Sequence, residues 1–74
     1  MTIKEIINLS LFDEYEQVVI LYGDAENPNR PYTGYLSNIP TEFHNWVVEQ
    51  IASMGETRRT KWNLNKYGWL EIWV

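Results

Sequence analysis

The sequence contains no cysteine, a single histidine and no apolar run longer than that of residues 18–22. Without cysteine, the chain can form neither a disulfide framework nor a thiolate metal site. The longest apolar run is far shorter than the roughly 20 residues that a membrane-spanning helix needs. The first residues hold one lysine and no long apolar stretch. We therefore expect no secretory signal and a cytoplasmic location.

Motifs for catalysis and metal binding are also missing. His44 has no nucleophile or paired acid at a motif spacing, so we interpret it as a structural histidine, at the surface or half-buried. Residues 24–27 offer oxygen ligands at alternating positions, but they lack the central glycine and the distal glutamate of a calcium loop. We predict no enzymatic activity, no metal and no cofactor.

The composition is that of one folded domain, residues 1–74, with 45% apolar and 15% aromatic residues. The net charge is −4 and is unevenly distributed. Residues 1–57 hold two basic and nine acidic residues, whereas residues 58–74 hold four basic residues and one acidic residue. An acidic body disfavours general binding to duplex DNA and favours a basic partner surface.

The first half of the chain reads as a helix followed by two strands. Thr2 and Glu5 have the spacing of a capping box, which predicts an amphipathic helix over about residues 2–10. Residues 16–22 are β-branched and aromatic and predict a central strand, and the proline-rich turn 23–31 separates them from a second strand at 32–36. Gly34, inside that second strand, indicates a bulge or a close approach by another element.

The second half is more ambiguous. A helix or a helical turn is expected after Pro40. Residues 46–54 fit an amphipathic helix slightly better than a strand by periodicity alone. The basic segment 55–65 reads as a solvated loop, and residues 67–74 read as the closing strand. The predicted fold is α+β: a small antiparallel sheet of three or four strands, with an N-terminal helix packed on one face.

The closing strand raises the main functional question. Alternation places Leu70, Ile72 and Val74 on one face. The opposite face carries a set rich in aromatics: Tyr67, Trp69, Glu71 and Trp73. Because one helix covers only one face, we predict that this second face binds a partner, with Trp62 as a further anchor. If the set is instead buried within one chain, the element that covers it is the folded-back basic segment.

Charged residues suggest two kinds of partner. Acidic residues before and after the first strand would steer the protein toward a basic surface: Asp13, Glu14, Glu16, Asp24 and Glu26. The alternative is single-stranded nucleic acid, bound by phosphate contacts and base stacking through residues of the basic segment: Arg58, Arg59, Lys61 and Trp62. A further alternative is a homodimer formed through the aromatic face of the closing strand.

Three stretches carry a resemblance: residues 2–7 (TIKEII), residues 32–43 (YTGYLSNIPTEF) and residues 70–74 (LEIWV). Together they resemble a group of short uncharacterised proteins of Gram-positive phages and mobile elements, over about a third of the chain. The resemblance implies a strand after the turn, at about residues 48–51, and it carries no catalytic residue. The basic segment and the extra tryptophans depart from the group's pattern.

The resemblance implies a functional class by analogy. Small acidic phage proteins of this size often resemble anti-CRISPR and other anti-defence inhibitors, which bind their targets stoichiometrically. We therefore expect a non-enzymatic protein that binds and inhibits a host macromolecule, a CRISPR effector nuclease above all. The alternatives are a homodimeric phage accessory protein of unrelated role and the single-stranded nucleic-acid binder.

Overall fold

The computed structural model describes residues 1–9, 12–13, 15–64 and 68–74. Its elements follow in the order α1 (Ile3–Asn8), β1 (Gln17–Tyr22), β2 (Asn29–Tyr35), β3 (Gln50–Ser53), α2 (Glu56–Lys61) and β4 (Leu70–Trp73). Two 3₁₀ turns, Leu36–Asn38 and Thr41–Phe43, connect β2 to the segment before β3. The predicted α+β class, the N-terminal helix and the helical turn after Pro40 are confirmed.

Helix α1 begins at the predicted capping box. The Thr2 hydroxyl accepts a hydrogen bond from the Glu5 amide at 3.3 Å, and the Glu5 carboxylate accepts one from the Thr2 amide at 3.1 Å. Both bonds satisfy amides that have no partner within the helix. The helix ends at Asn8, and Ser10, its predicted last residue, lies outside the described residues.

The sheet has the strand order β2-β1-β4-β3. Strand β1 pairs antiparallel with β2, and β3 pairs antiparallel with β4, as predicted for neighbouring strands. Strand β4, however, runs parallel to β1, so the sheet is mixed rather than wholly antiparallel. The closing strand β4 thus lies in the middle of the sheet, between β1 and β3. Strand β3 and helix α2 precede it in the chain.

The segment 46–54 contains strand β3 rather than a helix. The apolar stripe that favoured a helix is divided between the two faces of the sheet: Phe43 belongs to one hydrophobic cluster and Met54 to the other. The basic segment, expected to be a solvated loop, forms helix α2 at Glu56–Lys61. Helix α2 has the sequence ETRRTK and no buried residue. No apolar periodicity in the sequence could therefore predict it.

Each face of the sheet has its own hydrophobic core. The first core lies under α1, and its buried residues are Ile3, Ile6, Val18, Ile20, Leu36, Ile39, Phe43 and Ile72. The second core lies on the opposite face, where Val19, Leu21, Met54 and Trp69 are buried and Trp62, Leu64 and Trp73 pack against them. The predicted inward face of β4 is confirmed, since Ile72 is buried in the first core with Leu70 and Val74 packed against it.

Gly34 permits a close approach, but by a side chain of its own strand. The Tyr32 ring lies across Gly34, and its hydroxyl would be 2.7 Å from a Cβ at that position. The same hydroxyl donates a hydrogen bond to the Tyr35 carbonyl at 2.7 Å. Burial raises the pKa of Tyr32 above its ordinary value of 10.0, so the hydroxyl remains a donor at neutral pH.

We expect Gly34→Ala to lower the free energy of unfolding by about 1 kcal/mol, since the methyl group displaces the Tyr32 hydroxyl from its hydrogen bond. Urea denaturation followed by circular dichroism measures this loss. The matched control is the same substitution in a Tyr32→Ala background, where no ring obstructs the methyl group. An equal loss in both backgrounds would refute this explanation of Gly34.

Candidate functional site

The predicted partner-binding face of β4 is buried within the chain. Trp69 is 8% exposed and Glu71 is 7% exposed, and Trp73 is half-buried. The prediction that these residues form an interface is therefore wrong. Helix α2, through Arg58, and the residues Trp62 and Leu64 after it cover that face. The alternative in which the basic segment folds back over the strand is confirmed. Tyr67, the remaining member of the set, lies outside the described residues.

Glu71 is buried because its charge has partners. Its Oε1 accepts hydrogen bonds from Arg58 Nη1 and from Trp73 Nε1, each at 3.0 Å. Arg58 also donates from Nη2 to the carbonyl of Ala25 at 2.7 Å. A buried carboxylate is tolerated only when it is paired and hydrogen-bonded, so Arg58 explains how Glu71 can share a face with tryptophans.

The basic segment serves the same core. The guanidinium carbon of Arg30 lies 4.6 Å from the centre of the Trp62 ring, and that of Arg58 lies 5.3 Å from it. Arg58 also lies 5.6 Å from the centre of the Trp73 ring. These are cation–π distances. Trp62 and Arg58, both proposed for nucleic-acid binding, thus already make contacts within the chain. Arg59, which also has a partner within the chain, is half-buried, and Lys61 is exposed.

The position of β4 also bears on the homodimer hypothesis. β4 lies between β1 and β3 and pairs with both, so neither of its edges is available to a second copy. Its aromatic face is covered as well. A dimer through the C-terminal strand, as the sequence suggested, would therefore have to displace β1 or β3 from it.

The acidic residues lie at the two ends of β1, as predicted. Asp13 precedes the strand and accepts a hydrogen bond from the Tyr15 amide, while Asp24 follows the strand and accepts one from the Glu26 amide, both at 2.9 Å. Asp13, Asp24 and Glu26 are exposed, Glu16 is half-buried, and Glu14 lies outside the described residues. The acidic residues thus form two separate regions. The structure also holds a surface that sequence reasoning missed.

That surface is an open apolar groove of about 320 Å³ lined by Tyr22, Trp46, Val47 and Val74, here called the aromatic groove. Tyr22 ends β1 and is 41% exposed, and Val47 is 63% exposed. The Trp46 ring is in T-shaped contact with two other rings. Its centre lies 6.2 Å from the centre of the Tyr22 ring and 4.8 Å from that of the buried Phe43. The groove is thus the end of the first core, left open to solvent and held in place by packed rings.

Sequence patterns alone contain only weak signals of the groove. Its members come from three separate parts of the chain, and they meet because β4 runs parallel to β1, so that both strands end on the same side of the sheet. Val47 is fixed there by an isolated bridge to Thr2, next to the hydrogen bond from the Val48 amide to the Met1 carbonyl. Without the parallel pairing, Tyr22 and Val74 have no reason to be neighbours.

The part of the chain that the structure describes holds neither a catalytic constellation around its histidine nor a metal-binding cluster. His44 is half-buried, and its Nε2 lies 3.0 Å from the carbonyl oxygen of Ile39, a structural contact. No group of three or more potential metal-binding side chains occurs among these residues. None of their helices is long and apolar enough to cross a membrane.

The aromatic groove is therefore the surface on which a functional proposal can be built. Its lining is aromatic and aliphatic and offers apolar contact. Comparison with known proteins adds no relative: no family model matches the chain, and neither does any curated protein or solved structure.

Proposed function

We propose that the protein is a non-enzymatic inhibitor encoded by a phage or mobile element, which binds a basic surface of a host CRISPR effector nuclease through the aromatic groove. The observation that carries the proposal is the groove itself. An aromatic and aliphatic concavity that is open to solvent is typical of a protein-binding site, where aromatic anchors supply most of the affinity.

Exposed acidic side chains support a basic partner. Asp24 and Glu26 follow Tyr22 in the chain, and Glu49 lies two residues after Val47; all three acidic side chains are exposed. Their steering role rests on the acidic character of the whole chain, which carries a net charge of −4. Nucleases that hold RNA–DNA hybrids present positively charged channels, and a surface of opposite charge accelerates association with them and disfavours other partners.

The division of roles differs from the one that the sequence suggested. Trp69, Trp73 and Trp62 pack in or against the second core. We assign the contact with the partner to Tyr22, Trp46 and Val47 of the aromatic groove instead. The acidic residues keep their proposed steering role. The phage resemblance and the small acidic body support the proposed inhibitor class by analogy.

The test is cleavage of a DNA target by purified CRISPR effector nucleases of Gram-positive bacteria, titrated with this protein. We expect inhibition that saturates near one inhibitor per nuclease and weakens as salt rises, since screening reduces the steering. Absence of inhibition across the effector types would contradict the proposed target.

A substitution separates the groove from the rest of the surface. Val47→Ser should weaken inhibition about tenfold, because an interfacial valine loses on the order of 1.4 kcal/mol of apolar contact. The matched control is Tyr15→Ser, at the opposite end of β1, where the side chain is 67% exposed. Equal inhibition by both variants would show that binding does not use the aromatic groove.

A further inference from the structure

The two edge strands of the sheet differ in how they are protected. Edge strands expose unpaired backbone groups, and proteins commonly block them with proline or with charged side chains. Strand β2 carries both, at Arg30 and Pro31. Strand β3 has the sequence QIAS, with neither, and β4 is its one paired neighbour within the described sheet. The outer edge of β3 is thus open to another strand.

The side chains of β3 are suited to a further strand. Ile51 is half-buried opposite Ile72 and packs against the first core, while Ala52 is half-buried opposite Glu71 on the other face. Gln50 and Ser53, at the ends of the strand, are exposed. A strand added beyond β3 would complete the burial of its apolar centre on both faces of the sheet.

We propose that a second copy of this chain occupies the β3 edge, with the two β3 strands antiparallel about a twofold axis at Ile51. An antiparallel twofold pair requires one residue to lie opposite its own copy, and the interface then closes on itself. Centring the pair on Ile51 places two β-branched apolar side chains in contact, which is a favourable cross-strand pair. The two sheets become one sheet of eight strands.

Charge is compatible with this register, and the apolar pair selects it. With Ile51 at the axis, Glu49 lies opposite the partner's Ser53, so no like charges face each other. Centring on Ala52 or on Gln50 would leave Ile51 opposite Ser53 or opposite Glu49, and the apolar pair would be lost. No residue that lines the aromatic groove belongs to β3, so Val47→Ser tests the inhibitor proposal without changing a residue of β3.

The dimer should be weak. An edge pairing of five residues buries much less than the roughly 1,200 Å² of a standard interface, and each chain carries a net charge of −4. We expect a reversible monomer–dimer equilibrium with a dissociation constant on the order of 100 μM, at the weak end of specific association. Sedimentation velocity over a concentration series measures it, and a strict monomer at about ten times that concentration would overturn the proposal.

Substitutions at the exposed Glu49 and Ser53 test the register. Ser53→Lys creates two opposite-charge pairs across the axis and should tighten the dimer about tenfold, while Ser53→Glu should weaken it by a similar factor. The critical variant is Glu49→Lys combined with Ser53→Lys. Net charge alone predicts tighter association for this variant, since it is nearer neutrality, whereas the register predicts weaker association than that of Ser53→Lys. Tighter association would overturn the register.

Because the chain has no cysteine, one introduced thiol reports the axis directly. Ile51→Cys should form a disulfide-linked dimer on mild oxidation, since residues opposite each other in a sheet lie within about 5.5 Å, inside the range that a disulfide spans. Ser53→Cys should not, because the two positions would be about 13 Å apart along the strands. Efficient linkage through residue 53, or none through residue 51, would refute the proposed axis.

Discussion

Trp69→Ala should remove a large fraction of this protein's free energy of unfolding. Trp69 is 8% exposed and belongs to the second core with Val19, Leu21 and Met54. Removing a buried tryptophan costs about 3–5 kcal/mol. A domain of this length has a total stability of about 4–11 kcal/mol, so the loss is a large fraction of the whole.

Thermal unfolding followed by circular dichroism measures the effect. We expect the midpoint to fall by about 15 °C or more, since each kcal/mol shifts a domain of this size by about 4–8 °C. Trp69→Phe is the matched variant. It retains most of the ring and removes an indole N–H that has no hydrogen-bond partner among the described residues, so its loss should be smaller, about 1–2 kcal/mol.

Tyr15→Ala provides the surface control, because Tyr15 is an aromatic residue that is 67% exposed. Its loss should stay within about 0.5 kcal/mol, which is ordinary for a surface position. A Trp69→Ala variant as stable as the Tyr15→Ala variant would show that Trp69 is not a core residue. It would also restore the interpretation of β4 as a partner-binding face.

Strand β4 shows which features of the fold could be predicted from the sequence and which could not. Alternation in β4 correctly put Trp69, Glu71 and Trp73 on one face, because side-chain direction in a strand is a local property. The element that covers that face, however, is set by contacts between distant segments. Helix α2 has the sequence ETRRTK and no buried residue, so no apolar stripe predicted the helix.

A signal for α2 was nevertheless present. Glu71 lies between two tryptophans in an apolar strand, and a carboxylate in that setting needs a cation. The basic segment held the candidates, and its apolar residues Trp62 and Leu64 needed a place to pack. The fold class and α1 followed from short-range patterns, whereas the parallel pairing of β4 with β1, and with it the aromatic groove, depended on contacts between distant segments.

Arg58→Ala should produce the second large loss of stability, about 2–3 kcal/mol. Removing one member of a buried ion pair typically costs about 3–5 kcal/mol, because the other charge is left without its partner. The Arg58 side chain is 28% exposed, so water reaches the site and the cost is smaller. The variant also loses the bond to Ala25 and the stacking on Trp62 and Trp73.

Arg58→Lys separates charge from geometry. Lysine keeps the positive charge but has no planar fork with which to reach the Glu71 carboxylate and the Ala25 carbonyl together, and it stacks less well on rings. We expect an intermediate loss of about 1 kcal/mol. Lys61→Ala is the control on the same helix: this side chain is exposed, and its loss should stay within about 0.5 kcal/mol.

The double variant Arg58→Met with Glu71→Leu decides whether the ion pair or the packing holds α2 in place. With both charges gone, no carboxylate is left buried alone, and apolar replacements of similar volume are often neutral or stabilising. We therefore expect the double variant to be more stable than Arg58→Ala, by about 2 kcal/mol in urea denaturation. If it is as unstable as the single variant, the helix is held by the geometry of the guanidinium, through Ala25 and the rings, and the charge of Glu71 is secondary.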